Sequence, residues 1–239
     1  MIELGIPQSC KIDKKLFKKQ FTENFSLNVN ERKILTNYIE SITLEYLLNK
    51  DKINIAPYVD EDRDYTEIAF ITVEILDKSK QKAISSIIQY IPYPIILFLL
   101  YENELSLNIS PKRINKSDSS KLVVEESIVS EWINLENPTV IESEFLKSLE
   151  IRNHPFINFY ALYNSYLDKL IAFNASKHSG TLNVREDTKI LLDEIAVCEA
   201  KTNELKAKIK KETNFSDRVN LSIELKKVSG RLNDLKGNL

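Results

Sequence analysis

From residue 30 onward apolar side chains recur at three- and four-residue steps, namely Ile34, Leu35, Tyr38, Ile39, Ile42 and Tyr46, behind Asn30 as a candidate N-cap. That spacing predicts a helix over about 31–48 with one face buried. Ile53-Asn54-Ile55-Ala56 then alternates as a short strand does, before Pro57 and the acidic loop Asp60 to Asp64. The stretch 66–76, TEIAFITVEIL, is rich in β-branched and aromatic types and reads as a second strand. Ser79 is placed to cap a helix running to Tyr90, with Ala83, Ile84, Ile87 and Ile88 turned inward. A strand-helix-strand unit follows.

Ile95 to Tyr101 is apolar at every position, which suits a strand covered on both faces, whereas Leu105, Leu107 and Ile109 alternate with Ser106 and Asn108. Glu102-Asn103-Glu104 between them predicts a hairpin turn. Another strand is expected over about 121–130, ending near Trp132. An aromatic-rich helix is expected from Pro155 to about Asn174, carrying Phe156, Phe159, Tyr160, Tyr163, Leu167, Leu170 and Ile171. The order α-β-β-α-β-β-β specifies an α+β fold, an α/β layer with helices packed on a mixed β-sheet.

Near Val184 the texture changes: proline disappears, and Glu, Lys, Leu and Asn dominate. Two heptad runs follow, first Leu191, Ile195, Cys198, Thr202, Leu205 and Ile209, then Leu221, Leu225, Val228, Leu232, Leu235 and Leu239. Steps of four and three line one seam of a supercoiled helix. Asn214-Phe215-Ser216-Asp217 breaks the phase, and Ser216 or Asp217 can cap a new helix, so an antiparallel helical hairpin is expected. The plan is an α/β module over 1–140, a helical connector packing on it over 141–184, and the hairpin over 185–239. Runs of about three heptads are marginal alone, so the hairpin seam, a homodimer or a foreign partner must supply burial. Leu191, Ile195, Leu205, Ile209, Leu221, Leu225, Val228, Leu232 and Leu235 are the candidate partner-binding residues.

Composition narrows the function. The 239 residues are 43% hydrophobic and 28% charged, enough for a real core. Lys+Arg 33 against Asp+Glu 35 argues against a chain that coats phosphate backbones. Residues 1–30 hold five Lys against three acids and 185–239 hold twelve Lys/Arg against ten acids, which leaves the middle acidic. The amino terminus lacks the order of a secretory signal, and Pro92 and Pro94 interrupt the longest apolar run, Ile91 to Tyr101. A cytoplasmic location and no membrane span are expected.

Cys10, Cys198, His154 and His178 are too few and too scattered for a zinc site or a disulfide framework. His154 and His178 read as surface or capping residues rather than catalytic bases, and Cys198 as core packing. Four glycines, far apart, supply neither a P-loop nor a dinucleotide fingerprint. Lys11, Lys14, Lys15, Lys18 and Lys19, interleaved with Phe17 and Phe21, are candidate nucleic-acid contacts. The same stretch also reads as an amphipathic segment whose Leu16, Phe17 and Phe21 dock on the core. The enzymatic candidate is a Mg²⁺-dependent nuclease using Asp64, Glu74 and Lys78, with Asp77 nearby. The element order there resembles the core of restriction-endonuclease-like nucleases, whose second strand ends in acid-x-Lys. This chain has Leu76-Asp77-Lys78, with Leu in the acid's place and no Pro-Asp pair before it. Catalysis requires the three residues to converge within metal-bridging distance.

Ile6-Pro7 with Lys11-Ile12-Asp13-Lys14-Lys15-Leu16-Phe17, then Ile53-Asn54-Ile55, Val73-Glu74-Ile75, Ile91-Pro92-Tyr93-Pro94-Ile95-Ile96 with Tyr101-Glu102, and Ser130-Glu131-Trp132-Ile133 with the terminal heptads resemble the prokaryotic domain-of-unknown-function family 4391. The Ile-Pro-Tyr-Pro-Ile-Ile block is the most specific piece. The resemblance implies an accessory protein encoded beside helicases and DNA methyltransferases of restriction or anti-phage systems. It carries over no catalytic residues. Members often have a second acid two residues beyond the equivalent of Glu74, where this chain has Leu76. The expectation is a non-enzymatic accessory subunit without a cofactor, docking a helicase or DNA methyltransferase through its C-terminal helices. DNA would be reached indirectly, and self-association stays open. The alternative is an active or degenerate Mg²⁺-dependent nuclease subunit.

Overall fold

The computed structural model describes residues 2–183 and 187–239, leaving out the side chains of Ser119 and Ser120. Two compact units emerge, Met1–Leu170 and Ile171–Leu239. The expected boundary near Val184, where the connector would end and the hairpin begin, lies outside the described residues.

In the first unit a 3-10 turn at Gln8–Cys10 leads to β1 (Lys11–Lys15), α1 (Lys18–Asn24), α2 (Val29–Asn37) and β2 (Ile39–Asn49). The short hairpin β3 (Tyr58–Val59) and β4 (Asp64–Tyr65) precedes β5 (Glu67–Ile75). A 3-10 turn at Lys78–Lys80 runs into α3 (Gln81–Ile88), followed by β6 (Ile95–Tyr101) and β7 (Glu104–Ile109). Then come β8 (Lys112–Asn115), β9 (Asp118–Val124), β10 (Ile128–Val129), β11 (Ile133–Asn134), α4 (Val140–Ser148) and α5 (Phe159–Ser179), whose last turns belong to the second unit. The main sheet is seven-stranded, ordered β1-β2-β5-β6-β7-β10 with β11 also on β7. β5 and β6 run parallel, joined through α3, and the other neighbours are antiparallel, so the sheet is mixed and the fold is α+β.

The segment expected as one helix over 31–48 divides into α2 and β2. Two bulges cause the misreading. Register slips between Ile39/Ser41 and between Leu44/Tyr46 insert an extra residue each time. The residues turned to one face therefore fall at Ile39, Ile42, Leu44 and Leu47, a spacing of three, two and three that imitates a helix. The cap is Asn28 rather than Asn30, since its side chain accepts from Glu31 N at 3.0 Å while the Glu31 carboxylate accepts from Asn28 N at 2.8 Å. Asp77, not Ser79, caps the turn before α3, accepting from Ser79 N at 2.8 Å. Ile53 to Ala56 forms no strand beyond a single bridge from Ala56 to Asn158. The strand expected over 121–130 is β9 followed by β10, and α5 starts at Phe159, leaving Phe156 and Ile157 exposed.

One face of the sheet carries Ile39, Ile42, Ala69, Ile71, Val73, Leu97 and Leu99 against Phe21, Ile34, Leu35, Ile84, Ile87 and Ile88 of the helices. Each fully buried aliphatic side chain of this set contributes roughly 2 kcal/mol. On the other face Phe70 meets Tyr166 of α5 edge-on, with ring centroids 5.6 Å apart, and Tyr163 donates its hydroxyl to Ile95 O at 3.2 Å.

The second unit contains α6 (Thr188–Lys211) and α7 (Phe215–Gly237), two antiparallel helices joined by a tight connection. Asn214 caps α7 by accepting from Ser216 N at 2.9 Å and Asp217 N at 3.4 Å, so the cap precedes both residues expected for it.

Candidate functional site

Asp64 lies on β4, beside Glu67 at the start of β5; burial pushes the Glu67 carboxyl up, and Asp64 adds to the effect. Its neighbour Tyr65 meets Tyr163 edge-on, and Tyr163 is bonded to the first residue of β6. Glu74 stands at the far end of β5, accepting from Ser41 Oγ at 2.7 Å. Strand rise separates these ends by roughly 20 Å, far beyond the few ångströms over which two carboxylates share one cation. Lys78 is ion-paired with Glu104 and lies over the rings of Tyr101 at 5.3 Å and Trp132 at 5.5 Å. The three residues are not brought together. Among the described residues no group of three His, Cys, Asp or Glu is arranged to hold a metal.

The amino-terminal lysines occupy an edge. Lys11, Lys14 and Lys15 belong to β1, which pairs only with β2, and Lys18 and Lys19 open α1. Lys18 Nζ donates to Thr36 O at 3.1 Å and to Ile39 O, Lys19 lies 3.4 Å from Glu23, and Lys11 lies 3.6 Å from Asp13. Lys14 and Lys15 meet no charged partner among the described residues. A bulge between Lys11 and Lys14, with Asp13 at φ 50°, kinks the strand. Lysines and a bulge on an edge strand deter pairing with other chains, which accounts for them structurally.

The most deeply buried charged side chain escapes any reading of the sequence. Lys112, 1% exposed, donates from Nζ to Gln89 O at 3.0 Å, Ile91 O at 2.5 Å and Tyr93 O at 2.7 Å. Burial pulls its pKa down to about 7. Three carbonyl acceptors, one per N–H, and the carboxyl end of α3 act in the opposite sense. The Ile-Pro-Tyr-Pro block is thus the loop that wraps this ammonium, and its chemistry is structural.

Beside it, Gln81, Ser85 and Gln89 line one face of α3 opposite Ser106, Asn108 and Ser110, all but Gln81 buried. Ser106 and Asn108, the polar positions that alternate with leucines on β7, are fully buried. Gln89 Nε2 donates to Asn108 Oδ1 at 3.0 Å, and Asn108 Nδ2 to Ser127 Oγ at 2.8 Å. The row ends at a cavity of about 310 Å³ lined by Ser86, Gln89, Tyr90, Ser110, Val123 and Ser127. Among the described residues no Asp, Glu, His or Lys lines it to serve beside its serines as a general base.

His154 is buried rather than a surface residue, and its backbone N–H caps the 3-10 turn Ile151–Asn153 by donating to Ile151 O. It stacks on Tyr166, with ring centroids 3.7 Å apart, and its Nδ1 lies 3.0 Å from Ser165 Oγ. Burial drops its pKa to about 3, so the ring is a neutral packing element at ordinary pH.

The hairpin presents the remaining candidate. Ile195, Cys198 and Leu235 are buried in its seam, with Leu191, Val228, Leu232 and Leu239 packed against them. Leu205 is buried too, while Ile209, Leu221 and Leu225, nearer the tip, are half-buried. Arg231 to Glu194 at 3.0 Å, Lys236 to Glu199 at 2.7 Å and Lys201 to Glu224 at 3.5 Å cross from helix to helix. The Lys236 bond holds the Glu199 carboxyl below its usual range. The heptad leucines therefore close the hairpin on itself. A different row faces outward: Phe215 is 72%, Val219 40% and Ile223 51% exposed. Such outer positions of a solvated helix pair normally carry charge, and nothing in the heptad spacing marks these three.

No described helix is long and apolar enough to cross a membrane. Searches of curated proteins and of solved structures found no match. One family model, described as a domain of unknown function (DUF4391), matches residues 4–232. That match spans the sheet, the carbonyl-wrapped lysine and nearly all of the hairpin, and by it the chain belongs to the DUF4391 family.

Proposed function

We propose that this chain is a non-catalytic accessory subunit of a prokaryotic DNA-processing system of the restriction or anti-phage kind. Its C-terminal hairpin docks the helicase or DNA methyltransferase it serves, and DNA is reached through that partner. The observation that carries the docking role is the outward apolar row Phe215, Val219 and Ile223 on a hairpin whose seam is already filled. Apolar side chains held in water on a rigid helix lower their free energy by being covered. The kind of machinery rests on the family likeness drawn from the sequence. The nuclease alternative gains no support, because Asp64 on β4 precedes the start of β5 while Glu74 lies near the end of that strand.

Co-expression with the helicase and the methyltransferase encoded beside its gene, followed by tandem purification, tests the reading. Stoichiometric co-elution with one of them is expected. A full-length chain that stays monomeric and retains neither would overturn it.

A further inference from the structure

The exposed row on α7 has a charged frame with a single sign. On a helix turning 100° per residue, the outer half of 215–230 centred on Val219 contains Phe215, Ser216, Ser222, Ile223, Ser229 and Gly230. The charges there are Lys226 and Lys227, with Arg218 at its margin. Asp217 and Glu224, the acids of this stretch, point toward the α6 side, and Glu224 is taken up there by Lys201. Arg218 lies over the Phe215 ring at 6.0 Å, and Lys226 and Lys227 meet no carboxylate within ion-pair distance among the described residues. A shallow cleft lined by Arg218, Val219, Ser222, Ile223 and Lys226 runs along this face.

Resting on the docking role proposed above, we infer that this face binds an amphipathic helix of a partner protein whose apolar stripe is bordered by Asp or Glu. The four-residue steps of Phe215, Val219 and Ile223 form one ridge of the kind that seats in the groove of a second helix. The ridge covers about 12 Å, two turns of such a partner. Its frame selects the partner's charge. A second copy of this chain would bring Arg218, Lys226 and Lys227 against their own kind, and like charges across an interface are costly. Phosphates would satisfy the cations but leave Val219 and Ile223 in water, whereas an acid-bordered apolar stripe covers both.

Two synthetic helical peptides of about 18 residues, with identical leucine stripes but bordered by Glu in one and Lys in the other, are titrated against the full chain by fluorescence anisotropy. An oligothymidylate strand serves as a third probe, and sedimentation reports self-association. The Glu-bordered peptide is expected to bind at least tenfold more tightly than its Lys twin, to be lost on Ile223→Asp, and to exchange preference with the twin in an Arg218→Glu/Lys226→Glu chain. Val219→Ser, with circular dichroism as a check on folding, stands in for Ile223→Asp if that variant misfolds. No binding, equal binding of the twins, unreversed preference, self-association through this row, or capture of the oligonucleotide alone would each overturn the inference. The docking role fails separately. If the co-encoded partner is retained by Ile223→Asp, the role stands and this site is wrong; if the unmodified chain retains no partner, the role itself falls.

Discussion

Lys112 and His154 show two ways of burying a titratable side chain, and each makes its own prediction. Replacing Lys112 with Met keeps the volume and removes the donors, so the Gln89 and Tyr93 carbonyls lose their partner. Buried acceptors left unpaired cost about 1–3 kcal/mol each, and urea unfolding of Lys112→Met is expected to show a loss of about 3 kcal/mol. A loss under about 1 kcal/mol would mean that water replaces the ammonium. For His154 the sign follows from the direction of its shift, from 6.5 down to about 3. The unfolded chain takes up the proton below its ordinary value while the folded chain refuses it, so stability falls as pH drops from 6.5 toward 3. Within that window the contribution is roughly 1.4 kcal/mol per pH unit. His154→Gln, which keeps a hydrogen-bonding group near Ser165, is expected to flatten the pH profile of unfolding by that slope, and an unchanged profile would refute the burial argument. Neither residue announces itself locally. A lysine between Pro111 and Arg113 and a histidine before Pro155 become buried only when distant strands and helices close over them.

At the scale of elements, β5, α3, β6 and the tight β6–β7 hairpin were legible because each has one uninterrupted period and a clear stop. β2 was not, since its two bulges shift the buried face and the resulting spacing belongs to neither strand nor helix. Caps were legible as a class but misplaced by two or three residues, because several Asn, Asp and Ser compete locally and only the closed geometry selects one. Asn214→Ala removes the selected cap of α7 and is expected to lower hairpin stability by about 1 kcal/mol, read as lost helicity on thermal unfolding. Gly230 gives the opposite sign. It lies inside α7, and a Cβ built there meets nothing within 4 Å. Gly230→Ala is therefore expected to stabilise α7 by about 0.5–1 kcal/mol, and a destabilised variant would show that the glycine relieves a strain the helix geometry does not reveal.

At the scale of the molecule, charge is divided between the units. Met1–Leu170 holds 20 Lys/Arg against 25 Asp/Glu, and Ile171–Leu239 holds 13 against 10. A docking face on the cationic unit predicts association that weakens with salt. Raising ionic strength from about 0.15 M to about 1 M shortens the screening length from about 8 Å to about 3 Å. Co-elution with the proposed helicase or methyltransferase partner is expected to fall steeply over that range, whereas purely apolar docking would persist or strengthen. The sequence alone determined the α+β class, the strand-helix-strand unit and the paired C-terminal helices, because these depend on hydrophobic periods that short stretches of chain carry by themselves. Tertiary structure decided which leucines were consumed in the seam and which apolar side chains were left in water. It also decided that Asp64 and Glu74 stand apart and that three loop carbonyls share one ammonium. Distances between residues far apart in the chain are set by packing, and no local pattern encodes them.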